Sequence, residues 1–127
     1  MSDVILDASA IIAFIKPEPG HEHVAPVIVG ARVPALILAE VCSWLTQRGV
    51  TLAAIEEGFG YFAFRVETFD ATRAISTGAL IARTRHRGLS LADRACLALG
   101  MELGLPVFTA DRAWADLDLG IDVRLIR

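Results

Sequence analysis

Val4-Ile5-Leu6-Asp7-Ala8-Ser9 decides how the rest of the chain is read. Three large apolar residues in succession, with no alternation, describe a short strand buried on both faces, as in a parallel sheet. The run stops on a carboxylate, where such a strand leaves its core. In open α/β sheets ligands gather just beyond the carboxyl ends of the strands, so Asp7 stands where chemistry is placed. An aspartate there equally starts a turn or N-caps the following helix. The stretch alone does not choose between these; further acids at equivalent places do.

Outward from Asp7, strands and helices alternate. Ala10–Ile15 reads as a short helix stopped by Pro17, Pro19 and Gly20. His21-Glu22-His23 opens a second helix running toward Gly30; the histidine pair is either an exposed helix start or a metal-binding pair. Arg32-Val33-Pro34 is a brief strand. A helix from Ala35 to about Arg48 follows, closed by Gly49 and striped by Ile37, Val41, Trp44 and Leu45. Thr51 caps a helix through Ile55 and Phe59, and Phe64–Glu67 is a third strand. Asp70 caps a long helix, Ala71 to about Arg85, with Ile75, Ala79 and Ala82 on one side. Ser90 opens a helix ending near Gly100, Leu105–Thr109 is the fourth strand, and Val123–Ile126 the last. This order implies a mostly parallel sheet of about five strands covered on both faces, a three-layer α/β/α domain occupying residues 1–127.

With 127 residues, 54% of them hydrophobic and 21% charged, the chain has the make-up of one folded domain rather than a disordered tail. Its mean hydropathy of +0.53 leaves apolar surface to spare for a partner. Arg32, Glu40 and Arg48 interrupt the richest apolar region before it reaches the ~20 residues of a membrane span. No basic segment precedes the first apolar run as in a signal peptide, so the expected location is the cytoplasm. Cys42 and Cys96 lie in apolar helices without metal or redox spacing and read as reduced core residues. A formal net charge of −3 excludes whole-molecule attraction to nucleic acid; a polynucleotide substrate needs a local basic patch or metal ions. The dense basic run is Arg83-Thr84-Arg85-His86-Arg87, which either complements a helix carboxyl end or contacts RNA or a protein partner. Arg112 is a further candidate phosphate contact.

Glu40 sits among aliphatic neighbours in Leu36–Val41. Asp93 follows Ser90 at the spacing of a capping box. Asp111 follows the fourth strand and is placed like a helix cap. In a parallel sheet Asp7 and Asp111 leave the same edge, and the helices bearing Glu40 and Asp93 start there. Gathering these carboxylates raises their pKa values and costs stability unless cations compensate. Hard divalent ions with oxygen ligands do so, leaving room for water and a phosphate, the arrangement needed for metal-assisted phosphodiester hydrolysis.

Val4–Ser9, Ala39-Glu40-Val41, Leu89–Leu99 and Thr109-Ala110-Asp111-Arg112-Ala113-Trp114 together resemble the PIN-domain family, within it the VapC-type toxins of bacterial toxin–antitoxin pairs. The resemblance spans almost the whole chain in family order. It implies a PIN fold and an acidic site of Asp7, Glu40, Asp93 and Asp111 for one or two Mg²⁺ or Mn²⁺ ions. Ser9 and Thr109 match positions whose hydroxyls help to hold that site; Asp116, with Asp118 competing, is an additional acid. Ala92 departs from the glycine that many relatives carry before the acid. The implied activity is an endoribonuclease leaving 5′-phosphate and 3′-hydroxyl ends. The implied partners are an RNA substrate, a VapB-type antitoxin whose tail occupies the site or inserts an arginine among the acids, and a second copy of the chain. Two other readings stand beside it. A catalytically silent PIN module would bind RNA or protein only. A haloacid-dehalogenase-type phosphatase also begins with a strand ending in aspartate, but it wants a second aspartate where Ser9 stands. No GxxxxGK[ST] loop occurs, and His21, His23 and His86 form no nucleophilic triad.

Overall fold

The computed structural model describes residues 3–127. Five short strands, β1 (Ile5–Leu6), β2 (Arg32–Pro34), β3 (Arg65–Glu67), β4 (Val107–Thr109) and β5 (Val123–Leu125), form one sheet in the order β3-β2-β1-β4-β5. Every pairing is parallel, with Ile5 opposite both Arg32 and Val107. The apolar run of β1 lies at the centre, and Ile5 and Leu6 are wholly buried. Each such side chain contributes about 2 kcal/mol by leaving water.

The helices are α1 (Ala8–Ile15), α2 (His21–Val24), α3 (Ala35–Gln47), α4 (Leu52–Phe62), α5 (Ala71–Ala79), α6 (Ile81–Thr84) and α7 (Leu91–Leu103). The chain moves from β1 through β2 to β3 and then returns past β1 to β4. Right-handed crossovers therefore lay α1–α4 on one face and α5–α7 on the other, the three-layer α/β/α arrangement expected from the sequence. Two glycines fix close approaches. Gly20 has φ +96°, and a Cβ there would lie 2.2 Å from the Ile126 carbonyl oxygen. A Cβ on Gly100 would lie 2.7 Å from the Val107 side chain, so its absence lets α7 settle on β4.

Two helices differ from expectation. The segment from His21 toward Gly30 is helical only to Val24, because Pro26 offers no amide for a further turn. The long helix expected from Ala71 to about Arg85 is broken. After Gly78, the Leu80 amide is shared between the Ser76 and Thr77 carbonyls, and α6 ends in a 3-10 turn over Arg85–Arg87. Ile75, Ala79 and Ala82 do share a side, but it faces solvent. Thr77, Leu80 and Thr84 are the residues turned inward, and the Thr84 hydroxyl is satisfied by donating to the Leu80 carbonyl (3.0 Å).

Candidate functional site

β1 ends at Asp7, which is both buried and a helix cap. Its Oδ1 accepts the Ala10 amide (2.8 Å) and so N-caps α1. Ser9 Oγ lies 2.7 and 2.9 Å from the two carboxylate oxygens and donates to the pair. From the adjacent β4, Thr109 Oγ1 donates to Asp7 Oδ2 (2.5 Å). The same two hydroxyls receive amides in turn: Ala110 N–H donates to Ser9 Oγ (2.9 Å) and Asp111 N–H to Thr109 Oγ1 (3.0 Å). The ends of β1 and β4 are thereby tied by a relay of short hydrogen bonds. Ser9 and Thr109, expected to help hold the site, hold Asp7 directly.

Burial pushes the Asp7 carboxyl up to about 6, against the pull of Thr109, the Ala10 amide and Ser9; the Asp93 charge adds to the rise. Glu40, on the outer flank of α3, is also raised, by partial withdrawal from water and then by Asp93. Beneath them, Cys96 is fully buried; its thiol is pushed well up by burial and then by Asp7, Asp93 and Glu40. Asp7 (β1), Glu40 (α3) and Asp93 (α7) each bear on this one buried thiol, so the three acids share a neighbourhood without closing on a single point. No arginine or lysine is paired with any of the three among the described residues.

The aspartates retain their local roles. Asp93 completes the capping box: its Oδ2 accepts the Ser90 amide (3.0 Å), and its own amide donates to Ser90 Oγ (3.1 Å). Asp111 caps the 3-10 turn Arg112–Trp114 by accepting the Ala113 amide (2.9 Å). Only its backbone amide meets the Thr109 hydroxyl; its carboxylate is exposed and makes no contact with the other three acids among the described residues. Glu40 differs, accepting no side-chain or amide hydrogen bond among the described residues. An oxygen-only, like-charged donor set of this kind fits a hard divalent cation. Among the described residues, no three His, Cys, Asp or Glu side chains are close enough to enclose an ion. An ion held by one or two carboxylates and otherwise by water needs no tighter cage.

The other candidates lie elsewhere. Asp116 pairs with Arg87 (2.8 Å), and the Asp118 carbonyl accepts from Arg83 (2.8 Å). Two of the basic-run arginines therefore clamp the loop after β4 rather than facing out freely; Arg85 and Arg112 are exposed. His21 and His23 are exposed and each approaches Glu22 at 3.8 Å. A cleft of about 520 Å³ between α5 and α7 includes Glu67, Arg73 and Glu102 in its lining but none of the four acids. Sequence reading placed Cys96 in the core without seeing that it underlies the acids. The signal was its i+3 position from Asp93 on α7, which brings both to one flank.

No curated protein matches the sequence significantly. Among solved structures, the fold is similar to a toxin–antitoxin complex from Klebsiella pneumoniae (TM-score 0.75, 13% identity, 98% of each chain covered). It is likewise similar to VapC20 of Mycobacterium tuberculosis, a toxin that cleaves the sarcin-ricin loop (TM-score 0.75, 18% identity, 97% of this chain and 99% of that one). DNA-bound VapBC of Salmonella typhimurium also matches (TM-score 0.70, 23% identity, 100% of each chain). The PIN domain family matches residues 4–119, nearly the whole length, and the chain belongs to that family.

Proposed function

We propose that this chain is a VapC-type toxin, a divalent-metal-dependent endoribonuclease of a toxin–antitoxin pair. The observation that carries the reading is the buried Asp7 carboxylate at the end of β1, held by Ser9, Thr109 and the Ala10 amide. Asp93 bears on both it and Glu40, and no cation is paired with any of the three among the described residues. Like charges held together at a cost are retained where something positive completes them. The toxin–antitoxin neighbours and the RNA-loop-cleaving toxin among them favour RNA as the substrate.

In this reading Mg²⁺ or Mn²⁺ takes one or two direct carboxylate ligands from Asp7, Asp93, Asp111 and Glu40, and the remaining acids reach it through water. The ion's chemistry is to lower the pKa of water and to offset charge developing on the phosphate. The chain's own part is positional. Ser9, Thr109 and the Ala10 amide fix the Asp7 carboxylate on β1, and the Ser90 amide fixes that of Asp93 on α7. Glu40, accepting no hydrogen bond among the described residues, orients the attacking water and takes its proton as the bond from phosphorus to the 3′-oxygen breaks, and solvent water protonates that oxygen. The products are a 5′-phosphate and a 3′-hydroxyl.

Partners follow from the same reading: a VapB-type antitoxin whose tail covers the acids or inserts an arginine among them, and a second toxin copy. No helix among the described residues is long and apolar enough to cross a membrane, which accords with action on cytoplasmic RNA. A catalytically silent PIN module is the second reading. It is favoured by Asp7, Asp93 and Asp111 all being engaged as caps. Incubating antitoxin-free protein with mixed cellular RNA in Mg²⁺, Mn²⁺ or chelator separates the two. Discrete fragments bearing 5′-phosphates in metal and none in chelator support the nuclease; intact RNA under every condition supports the silent module.

A further inference from the structure

Arg83 and Arg87, two of the three arginines that the basic run offered to RNA, are engaged with the loop after β4, and Arg85 stays exposed. A chain of net charge −3 still needs local positive charge to hold a polyanion. Such a group stands on α3, the helix that carries Glu40. Glu40, Trp44 and Arg48 are spaced by four residues, each turned about 40° from the last, so they follow one flank of the helix as it runs from the acids. The axial rise from Glu40 to Arg48 is about 12 Å. Trp44 is half-buried, its inner side packed against the core. The Arg48 guanidinium lies 3.8 Å from the Trp44 ring centroid, and its Nη1 donates to the Trp44 carbonyl (3.1 Å). Arg48 is otherwise exposed, so a cation backed by an aromatic ring is presented to solvent in a fixed place.

We propose that the Trp44–Arg48 stack is a nucleotide-binding subsite of the ribonuclease, taking an unpaired base of single-stranded RNA next to the scissile phosphate. The inference rests on the reading of Asp7, Glu40 and Asp93 as a ribonuclease centre. Unpaired bases stack on aromatic rings and on guanidinium planes, and the guanidinium also meets a neighbouring phosphate. A single tryptophan–arginine stack favours any base with a large π-face and reads no hydrogen-bonding edge, so the subsite adds affinity and register rather than sequence choice. Glu40 at the near end and Arg48 at the far end give the flank opposite charges at its two ends. A strand lying along it is thereby held away from the acids except where a metal ion draws in one phosphate.

The test is binding of a short, mixed-sequence, single-stranded RNA carrying a fluorophore, in chelator so that nothing is cut, across a salt titration. Trp44→Leu, which keeps apolar volume and removes the π-face, weakens binding about tenfold, and Trp44→Phe retains most of it. Arg48→Gln weakens binding and lowers the salt slope by about one. Melting curves establish that each variant is folded; should Trp44→Leu unfold, Arg48→Gln, at an exposed position, carries the test. Wild-type affinity and salt slope in Trp44→Leu and Arg48→Gln overturn the subsite. They leave the nuclease reading intact if wild type still cleaves RNA in Mg²⁺. Wild-type protein that neither binds nor cuts RNA overturns both.

Discussion

Asp7 has three hydrogen-bond donors and no cationic partner among the described residues, and its carboxyl rises to about 6 because burial outweighs those donors. The sign of the resulting pH dependence follows. The folded state keeps the Asp7 proton to about pH 6, whereas the unfolded chain releases it near 3.8. Between those values the folded form binds more protons, so stability falls as pH rises, by about 3 kcal/mol in all. Urea denaturation in chelator from pH 4 to 7.5 is expected to show this decline, and Asp7→Asn, which keeps a capping side chain, to flatten it. A stability that climbs steadily over that range in wild type contradicts the account of Asp7. Glu40 makes the complementary case. It supports no cap and no hydrogen bond among the described residues, so Glu40→Gln is expected to change stability by no more than about 0.5 kcal/mol. The same variant is expected to lower cleavage by about a hundredfold or more if Glu40 handles the proton. Asp93 lies between these two cases, since its substitution disturbs a cap and the site together.

The capping box at the start of α7 shows how one sequence feature serves fold and site at once. Ser90→Ala removes the hydroxyl that the Asp93 amide needs, and a loss of about 1 kcal/mol is expected in chemical denaturation. The Ser90 amide that holds Asp93 remains, so cleavage is expected to fall much less than in Asp93→Asn. Equal losses of activity in the two would mean that the cap, not the charge, is what matters. Gly20→Ala places a Cβ on the Ile126 carbonyl at a positive φ and is expected to cost about 2 kcal/mol, read by the same method. Much of this architecture was legible beforehand because its signals are local. The unbroken apolar run of Val4–Leu6 marks the central strand, and Thr51, Asp70 and Ser90 mark the caps that the structure contains. The helix after Asp70 was misread for a physical reason. Buried Thr84 spends its hydroxyl on its own helix, and Ile75 is left in water, so polarity and burial are uncoupled there. Four acids were nameable from their places at strand ends, at a helix start and on an apolar helix; that Asp7, Glu40 and Asp93 share a neighbourhood with a buried thiol was not, because it depends on three elements meeting.

The whole molecule combines a small parallel sheet, an acidic edge and cations largely committed to internal partners. A chain of ion pairs, Arg65–Asp3–Arg32–Glu67–Arg73–Glu102, runs from the β1–β3 side of the sheet to α7. Arg83 and Arg87 pin the loop after β4. That two arginines of the basic run bind the loop after β4 could not be read from its composition, since their partners lie about thirty residues downstream. With positive charge so committed and a net charge of −3, RNA is expected to bind weakly in chelator and more tightly once a divalent ion joins the acids. Filter binding with a cleavage-deficient Glu40→Gln protein, with and without Mg²⁺, reads this. The central claim is that the carboxylates around Cys96 are a catalytic metal centre and not only a set of caps. Its most direct test is the Mg²⁺-dependent cleavage rate of a cellular RNA pool by wild type and by Glu40→Gln, with melting curves recorded alongside. The account predicts metal-dependent cleavage by wild type, a loss of about a hundredfold or more in Glu40→Gln, and superimposable melting curves. Equal cleavage by the two proteins, or none by either, would contradict it.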